Sequence, residues 1–308
     1  MKKIPHPIQY QGSKRNLANV ILRYFPTDIC CLIEPFAGSA AISIASAASH
    51  KTNQFIINDY NKPLADLLEL IVQKPIETAS QYEEIWSGQH ESSIEHFYKI
   101  RDEFNRDKNP VHLLYLMSRC IKGAIRYNSD GQLNQSPDKR RLGTRPEKMR
   151  SNIIGVSNLL KDKVKFYSLD YREIVKKAKP VDLVYMDPPY QGVCGNKDSR
   201  YFSGINHDDF VVALEELNTR KIPYIVSYDG RRGDKVFGEV LPSLLSLTHL
   251  ELDAGRSSQS TLLGLNEVTY ESLYLSPSLI DRLDTKIFDY KKTEPKQYML
   301  LEPLVQYV

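Results

Sequence analysis

Cys30-Cys31-Leu32-Ile33-Glu34-Pro35-Phe36-Ala37-Gly38-Ser39, continued by an Ala/Ile/Ser-rich run to Ala48 and by Phe55-Ile56-Ile57-Asn58-Asp59, decides how this chain folds. Residues 30–33 form an apolar run too short for a helix, and it halts at Glu34-Pro35, as a buried strand does on entering a turn. Residues 39–48 then favour a helix, and residues 55–57 a second strand that stops at Asn58-Asp59. Strand, turn, helix, strand is the unit from which parallel, doubly wound sheets are built, so an α/β fold is expected.

Upstream, Leu17, Val20, Ile21 and Tyr24 recur at helical spacing, which predicts a helix over Asn16–Tyr24 ahead of Pro26. Downstream the texture changes. Residues 73–118 carry helical patterns and no strand, then Asp130-Gly131 marks a hairpin turn between Tyr127 and Leu133. Strand patterns resume at Val164–Leu169, Leu183–Met186 and Tyr224–Ser227, with a candidate pair over Leu262–Leu275. The economical division is one α/β domain formed by 1–72 and 151–308, split by a mainly helical insertion, with its hairpin, over 73–150. The tail from 277 to 308 has no assigned role.

Composition narrows the class. The chain has 308 residues, 41% hydrophobic and 26% charged, which suits a large globular core. No stretch approaches the roughly 20 apolar residues of a membrane span, and no secretory leader is read at the N-terminus. Four cysteines without a C-x-x-C pair or a Cys/His cluster argue against a disulfide framework or a metal site, so a reducing cytoplasm is expected. The net charge of +3 conceals an asymmetry. From Arg119 to Arg150 there are nine Lys/Arg against three Asp/Glu, a basic block suited either to a polyanion or to solvent.

The chemistry-bearing residues gather at predicted strand ends. Asp187-Pro188-Pro189-Tyr190 follows Leu183-Val184-Tyr185-Met186 directly, at the carboxyl end of a strand, where open α/β sheets place ligands. By chance such a tetrad appears in a chain this long roughly once in a thousand. The prolines remove two backbone donors and fix φ, so an acid, rigid carbonyl acceptors and an aromatic ring stand together. That set suits a flat heterocycle bearing an amino group. Phe36-Ala37-Gly38-Ser39 lets a ligand approach a helix N-terminus, and Asp59 lies 21 residues after Gly38, at the spacing from which an acid reaches ribose hydroxyls. Asp170 closes the 164–169 strand, either accepting from an adenine amino group or capping the next helix. No G-x-x-x-x-G-K-[ST] phosphate cradle is present.

In order, Tyr10-Gln11-Gly12-Ser13-Lys14, Glu34-Pro35-Phe36-Ala37-Gly38-Ser39, Asn58-Asp59-Tyr60-Asn61, a helical insertion and Asp187–Tyr190 resemble the Dam-type, alpha-class N6-adenine DNA methyltransferases. Within the insertion, Tyr98, Arg101 and Phe104-Asn105 resemble the family's Y-x-x-R-x-x-F-N helix, and Arg126-Tyr127-Asn128 its hairpin. The likeness covers about 7 to 276. It departs where Ala40 stands for a common glycine, and where Lys122-Gly123 replaces a common Asn-Gly, so a GATC target is not implied.

The resemblance implies a Rossmann-like S-adenosylmethionine-dependent methyltransferase sheet with helices on both faces and an inserted target-recognition domain. It implies cofactor contacts from Tyr10, Lys14, Pro35, Phe36, Ala37, Gly38, Ser39, Asp59, Asp170 and Asp187. Catalysis would fall to Asp187, Pro188, Pro189 and Tyr190, gripping the N6 amine of an adenine flipped from double-stranded DNA. Lys122, Arg126, Asn128, Asn134, Lys139, Arg140 and Arg141 would contact the DNA. No metal is implied, while a cognate restriction endonuclease is a partner the resemblance allows. Two other readings stay open at this point: an RNA-adenine or protein-glutamine methyltransferase, and a DNA-binding module that has lost activity.

Overall fold

The computed structural model describes residues 4–90, 92–189, 205–232, 235–237, 241–256 and 268–284, and for residues 122, 229–232, 235–237, 254–256 and 268–269 the backbone alone. Among the described residues eight strands form one sheet: β1 (Leu32–Glu34), β2 (Phe55–Asn58), β3 (Val164–Tyr167), β4 (Leu183–Met186), β5 (Tyr224–Arg232), β6 (Lys235–Phe237), β7 (Thr248–Arg256) and β8 (Val268–Leu275). Their order is β3-β2-β1-β4-β5-β8-β7, with β6 returning beside β5. The five strands from β3 to β5 are parallel, with Leu32 in register with both Phe55 and Leu183.

The sheet is mixed rather than parallel throughout. β8 inserts antiparallel between β5 and β7. Of the expected pair over 262–275, β8 is one strand, and 262–267 lie outside the described residues. β7 was not anticipated, although Leu250 and Leu252 alternate with His249, Glu251 and Asp253 at strand period and are buried.

Period-two alternation along the strands produces two cores. Leu32, Leu183 and Ile225 face one, while Ile33, Val184 and Val226 face the other. The first is covered by α1 (Ala18–Ile21), α2 (Ala41–Ala48) and α3 (Lys62–Gln73); α8 (Tyr171–Val175) and α9 (His207–Thr219) cover the second. The predicted helix over Asn16–Tyr24 is instead broken. Short 3-10 turns at Lys14–Asn16 and Leu22–Tyr24 flank the four residues of α1, and no side chain caps α1.

The 73–150 segment supplies α4 (Pro75–Ser87), α5 (Ser93–Asp107) and α6 (Pro110–Arg119), and α7 (Pro146–Leu160) runs unbroken through residue 150. Tyr82, Phe97, Phe104, Met117 and Ile153 in these helices belong to the same core as Leu32 and Phe55. Tyr127 and Leu133 form an antiparallel bridge around the expected turn. After β8, Ser276 accepts hydrogen bonds from Tyr224 N (2.9 Å) and Leu279 N (3.2 Å), opening the short helix α10 (Pro277–Ile280). Among the described residues no helix is long and apolar enough to cross a membrane.

From β1 the chain builds the sheet to β2 and β3 on one side, and later to β4 and β5 on the other. The crevice at the carboxyl ends of β1 and β4 is therefore the switch point where such sheets receive ligands.

Candidate active site

A cleft of about 310 Å³ opens at that switch point. Its walls include Tyr10, Lys14, the Pro35–Ser39 turn, Asp59, Asp170, Asp187 and Pro189, so residues spread over 180 positions converge there. Pro188 is buried beside them, and Tyr190 lies outside the described residues.

Backbone amides shape the turn after β1. Asn58 O accepts from Ala37 N (2.9 Å), and the Asp59 carboxylate accepts from Gly38 N and Asn61 N, both 2.9 Å. Asn58, fully buried, ties three strand ends together. Its Nδ2 donates to Pro35 O (2.8 Å) and Leu169 O (3.0 Å), and its Oδ1 accepts from Leu169 N (2.9 Å). Gly38 has φ +51°, and a Cβ there would lie 3.1 Å from the Tyr10 ring, so glycine permits both the turn and the aromatic approach. Ala40, which caps α2, has φ +52° and ψ 36°. The left-handed conformation that glycine adopts freely is kept here by a residue for which it is strained.

Acidity at the cleft is tuned by enclosure. Burial pushes the Asp59 carboxyl up to about 6 against the opposing pull of its two backbone donors. Glu34, at the end of β1, accepts from Ser43 N (3.0 Å) in α2, and burial pushes its carboxyl up to about 7. Asp170 behaves oppositely. The Arg172 guanidinium holds it below its usual range through bonds of 2.8 and 3.0 Å, and Asp170 Oδ1 also accepts from Arg172 N as the cap of α8. The capping role anticipated for Asp170 is thus present. Phe36 packs on Tyr171 with ring centroids 5.0 Å apart, which provides an aromatic wall.

Asp187 and Lys14 form a close, largely enclosed ion pair. Lys14 is 4% exposed, and its Nζ lies 2.9 and 2.8 Å from the two Asp187 oxygens while donating also to Gly12 O (3.1 Å). Lys14 therefore meets the tetrad's carboxylate itself. Ser13 and Ser39 join their hydroxyls at 2.9 Å, linking the Lys14 loop to the glycine turn.

Residues 10–254 match the model of the D12 class N6 adenine-specific DNA methyltransferases. The chain belongs to that family. It is 26% identical to the modification methylase StsI of Streptococcus sanguinis, over 95% of this chain and 45% of that protein. It is 28% identical to the type II methyltransferase M.MjaIII of Methanocaldococcus jannaschii, over 65% of this chain and 73% of the relative. With the DNA adenine methylase of Serratia marcescens it shares 27% over 70% and 77% of the two lengths. The chain thus spans less than half the length of StsI and about three quarters of the other two.

In this D12-class chain the basic block divides into surface and interior. Arg126, Lys139, Arg140 and Arg141 are exposed, as is Asn134. Asn128 serves the hairpin: its Oδ1 accepts from Asp130 N (3.0 Å) and Gln132 N (2.9 Å). Arg119, counted in the block, is 1% exposed. It donates to the carbonyls of Ser93 and Asp138, both at 3.2 Å, and to that of Arg141. Trp86 and Gln89 donate to Leu142 O at 2.9 and 3.1 Å, and Tyr82 to Thr144 O at 2.6 Å. The 138–144 loop is therefore clamped from below.

The cleft also enlists residues the motifs did not single out for it. Tyr127 OH accepts from Asn61 Nδ2 (3.0 Å), joining the hairpin to the turn after β2, and burial raises the Tyr127 phenol to about 12. Glu34 was quoted within the turn but given no role, although a buried acid at a strand end was visible in the sequence. Glu271 of β8 lies 3.4 Å from Lys14 Nζ, a contact between positions 257 apart that no local pattern announces.

Proposed function

We propose that the cleft moves a methyl group from S-adenosylmethionine to N6 of an adenine flipped out of double-stranded DNA. The observation that carries this reading is the Asp187 carboxylate, held at the tip of β4 in a cleft that the Gly38 turn and Asp59 also line. Membership in an adenine-specific DNA methyltransferase family supports it.

The lining fits the cofactor chemically. Asp59 retains lone pairs for ribose hydroxyls beyond the two amides it accepts, and Asp170 stands ready for an amino group. Phe36 and Tyr171 offer flat apolar surface, Glu34 is a buried acid whose ionised form a cationic donor would favour, and 310 Å³ lies at the lower end of small-molecule sites. When bound, S-adenosylmethionine supplies an activated methyl on a sulfonium.

The chain's own residues then position and polarise. The N6 lone pair of adenine is conjugated into the ring and is a poor nucleophile. Asp187 and the Pro188 carbonyl accept the two N6 hydrogens, which favours a pyramidal nitrogen and stabilises the charge that develops on it. A nitrogen–carbon bond forms as the sulfur–carbon bond breaks, and the excess N6 proton leaves along the hydrogen bond to Asp187. Tyr190 stacks on the ring in this scheme. Arg126, Asn134, Lys139, Arg140 and Arg141, with Lys122, meet the DNA, and the 73–150 segment acts as its reader. A companion restriction endonuclease and a cytoplasmic setting accord with the names and sources of the relatives.

Asp187→Ala decides the reading. Transfer of labelled methyl to unmethylated duplex DNA falls by at least about 100-fold, while cofactor binding measured by calorimetry persists. Undiminished turnover in this variant would remove Asp187 from the chemistry.

A further inference from the structure

We propose that Glu271 is a positioning residue for methyl transfer: it offers the buried Lys14 ammonium a second carboxylate, and so frees Asp187 to accept hydrogen from the target amine. The inference rests on the methyl-transfer reading above.

Lys14 Nζ lies within 2.9 Å of both Asp187 oxygens, so one ammonium engages the whole carboxylate on which the amine must also lean. Asp187 can turn an oxygen toward the amine only if the ammonium has somewhere else to place its charge, because an unpaired buried cation is strongly disfavoured. Glu271 Oε2 is that place. It is enclosed, accepts no hydrogen bond among the described residues, and has Lys14 Nζ 3.4 Å away. Among the described residues, Gly12 O, Asp187 and Glu271 all offer acceptors to the ammonium, which has three protons to share.

Charge count points the same way. One cation between two carboxylates leaves the cluster at −1, on the side where positive charge develops on N6. Without Glu271 the Lys14–Asp187 pair is neutral, and Asp187 is the weaker acceptor. The backbone delivers Glu271 deliberately to this place. Glu271 pairs with Gly230 of β5 immediately beyond a register shift between Ser227 and Gly230, an irregularity of the kind that re-aims side chains beside active sites. Among the described residues, Glu34 of β1 and Tyr185 of β4 also feel the Asp187 charge.

The test compares Glu271→Gln and Glu271→Asp in the full chain, with unmethylated duplex DNA and methyl-labelled cofactor. Glu271→Gln keeps the shape and loses the charge: kcat falls about ten-fold with KM for cofactor and DNA within two-fold, and Glu271→Asp recovers most of it. In a Lys14→Met background the same substitution adds no further loss. A Glu271→Gln enzyme with wild-type kcat, or a Glu271→Asp enzyme as slow as the Gln variant, overturns the inference. A second readout stands apart from turnover. Acetylation of Lys14 by acetic anhydride, followed by mass spectrometry, rises several-fold in Glu271→Gln, because a lost negative neighbour favours the neutral amine. If the wild-type chain transfers no methyl, the proposed reaction fails and labelling alone judges the ammonium-sharing. Equal labelling in the two proteins overturns that too.

Discussion

The glycine turn after β1 and the basic loop are built by opposite means. Between Glu34 and Ala40 the backbone is held by residues of the adjoining strand end, Asn58 and Asp59, through bonds to main-chain amides and carbonyls. Between Asp138 and Thr144 the backbone is held by long side chains from α4, the turn that follows it and α6, namely Tyr82, Trp86, Gln89 and Arg119. The first is a local device that shapes a small concave pocket. The second is a scaffold that leaves Lys139, Arg140 and Arg141 outward while fixing the carbonyls beneath them. A pocket for a small molecule needs its own backbone shaped, whereas a surface for a polyanion needs only its charges presented.

Four substitutions sharpen or break this contrast. Asp59→Ala removes the acceptor of two amides, so cofactor affinity drops by about 100-fold or more and stability by about 2–4 kcal/mol, while DNA affinity is kept. Calorimetry and gel-shift titration read the two, and equal loss of both would erase the distinction. Arg119→Met leaves carbonyls of the loop unpaired, costing about 2–3 kcal/mol. It weakens DNA binding with cofactor affinity intact, as chemical denaturation and salt-dependent DNA titration would show.

Glu34→Gln acts through pH. The folded chain holds the Glu34 proton more tightly than the unfolded chain does, so this acid adds stability below about pH 4.5 that is lost as pH climbs through about 7. The glutamine can still accept from Ser43 N, so the variant is the more stable protein at pH 8, and the gap narrows toward pH 4. A gap independent of pH in urea titrations would contradict that origin. Ala40→Gly is the smallest change. It relieves a left-handed alanine at the cost of a freer unfolded chain, for a net gain of about 0.5–1 kcal/mol and a rise of about 2 °C in Tm.

How much was legible follows the same division. The turn after β1, the Asn58-Asp59 strand end and the Asp187 tetrad were read directly, because each is a run of contiguous residues whose types carry the geometry. The family and its sheet followed from their order. The antiparallel edge was not read, since nothing within 268–275 states which strand it will pair. β7 carried a readable alternation that was missed. Arg119 was read as surface charge because charge counting ignores burial, and its carbonyl partners lie up to 26 residues away. Asn58 was placed at a strand end, but its triple tie needs three segments brought together by folding.

Gly123 carries one consequence forward. It sits at φ +62° in the turn just before the hairpin, and any side chain there would overlap the carbonyl oxygen of Gln9. Gln9 immediately precedes Tyr10 in the strap that ends in Lys14. The seam between the turn before the hairpin and the stretch that ends in Lys14 therefore has no room for a side chain at 123, and Lys14 stands only five residues along the chain from that contact.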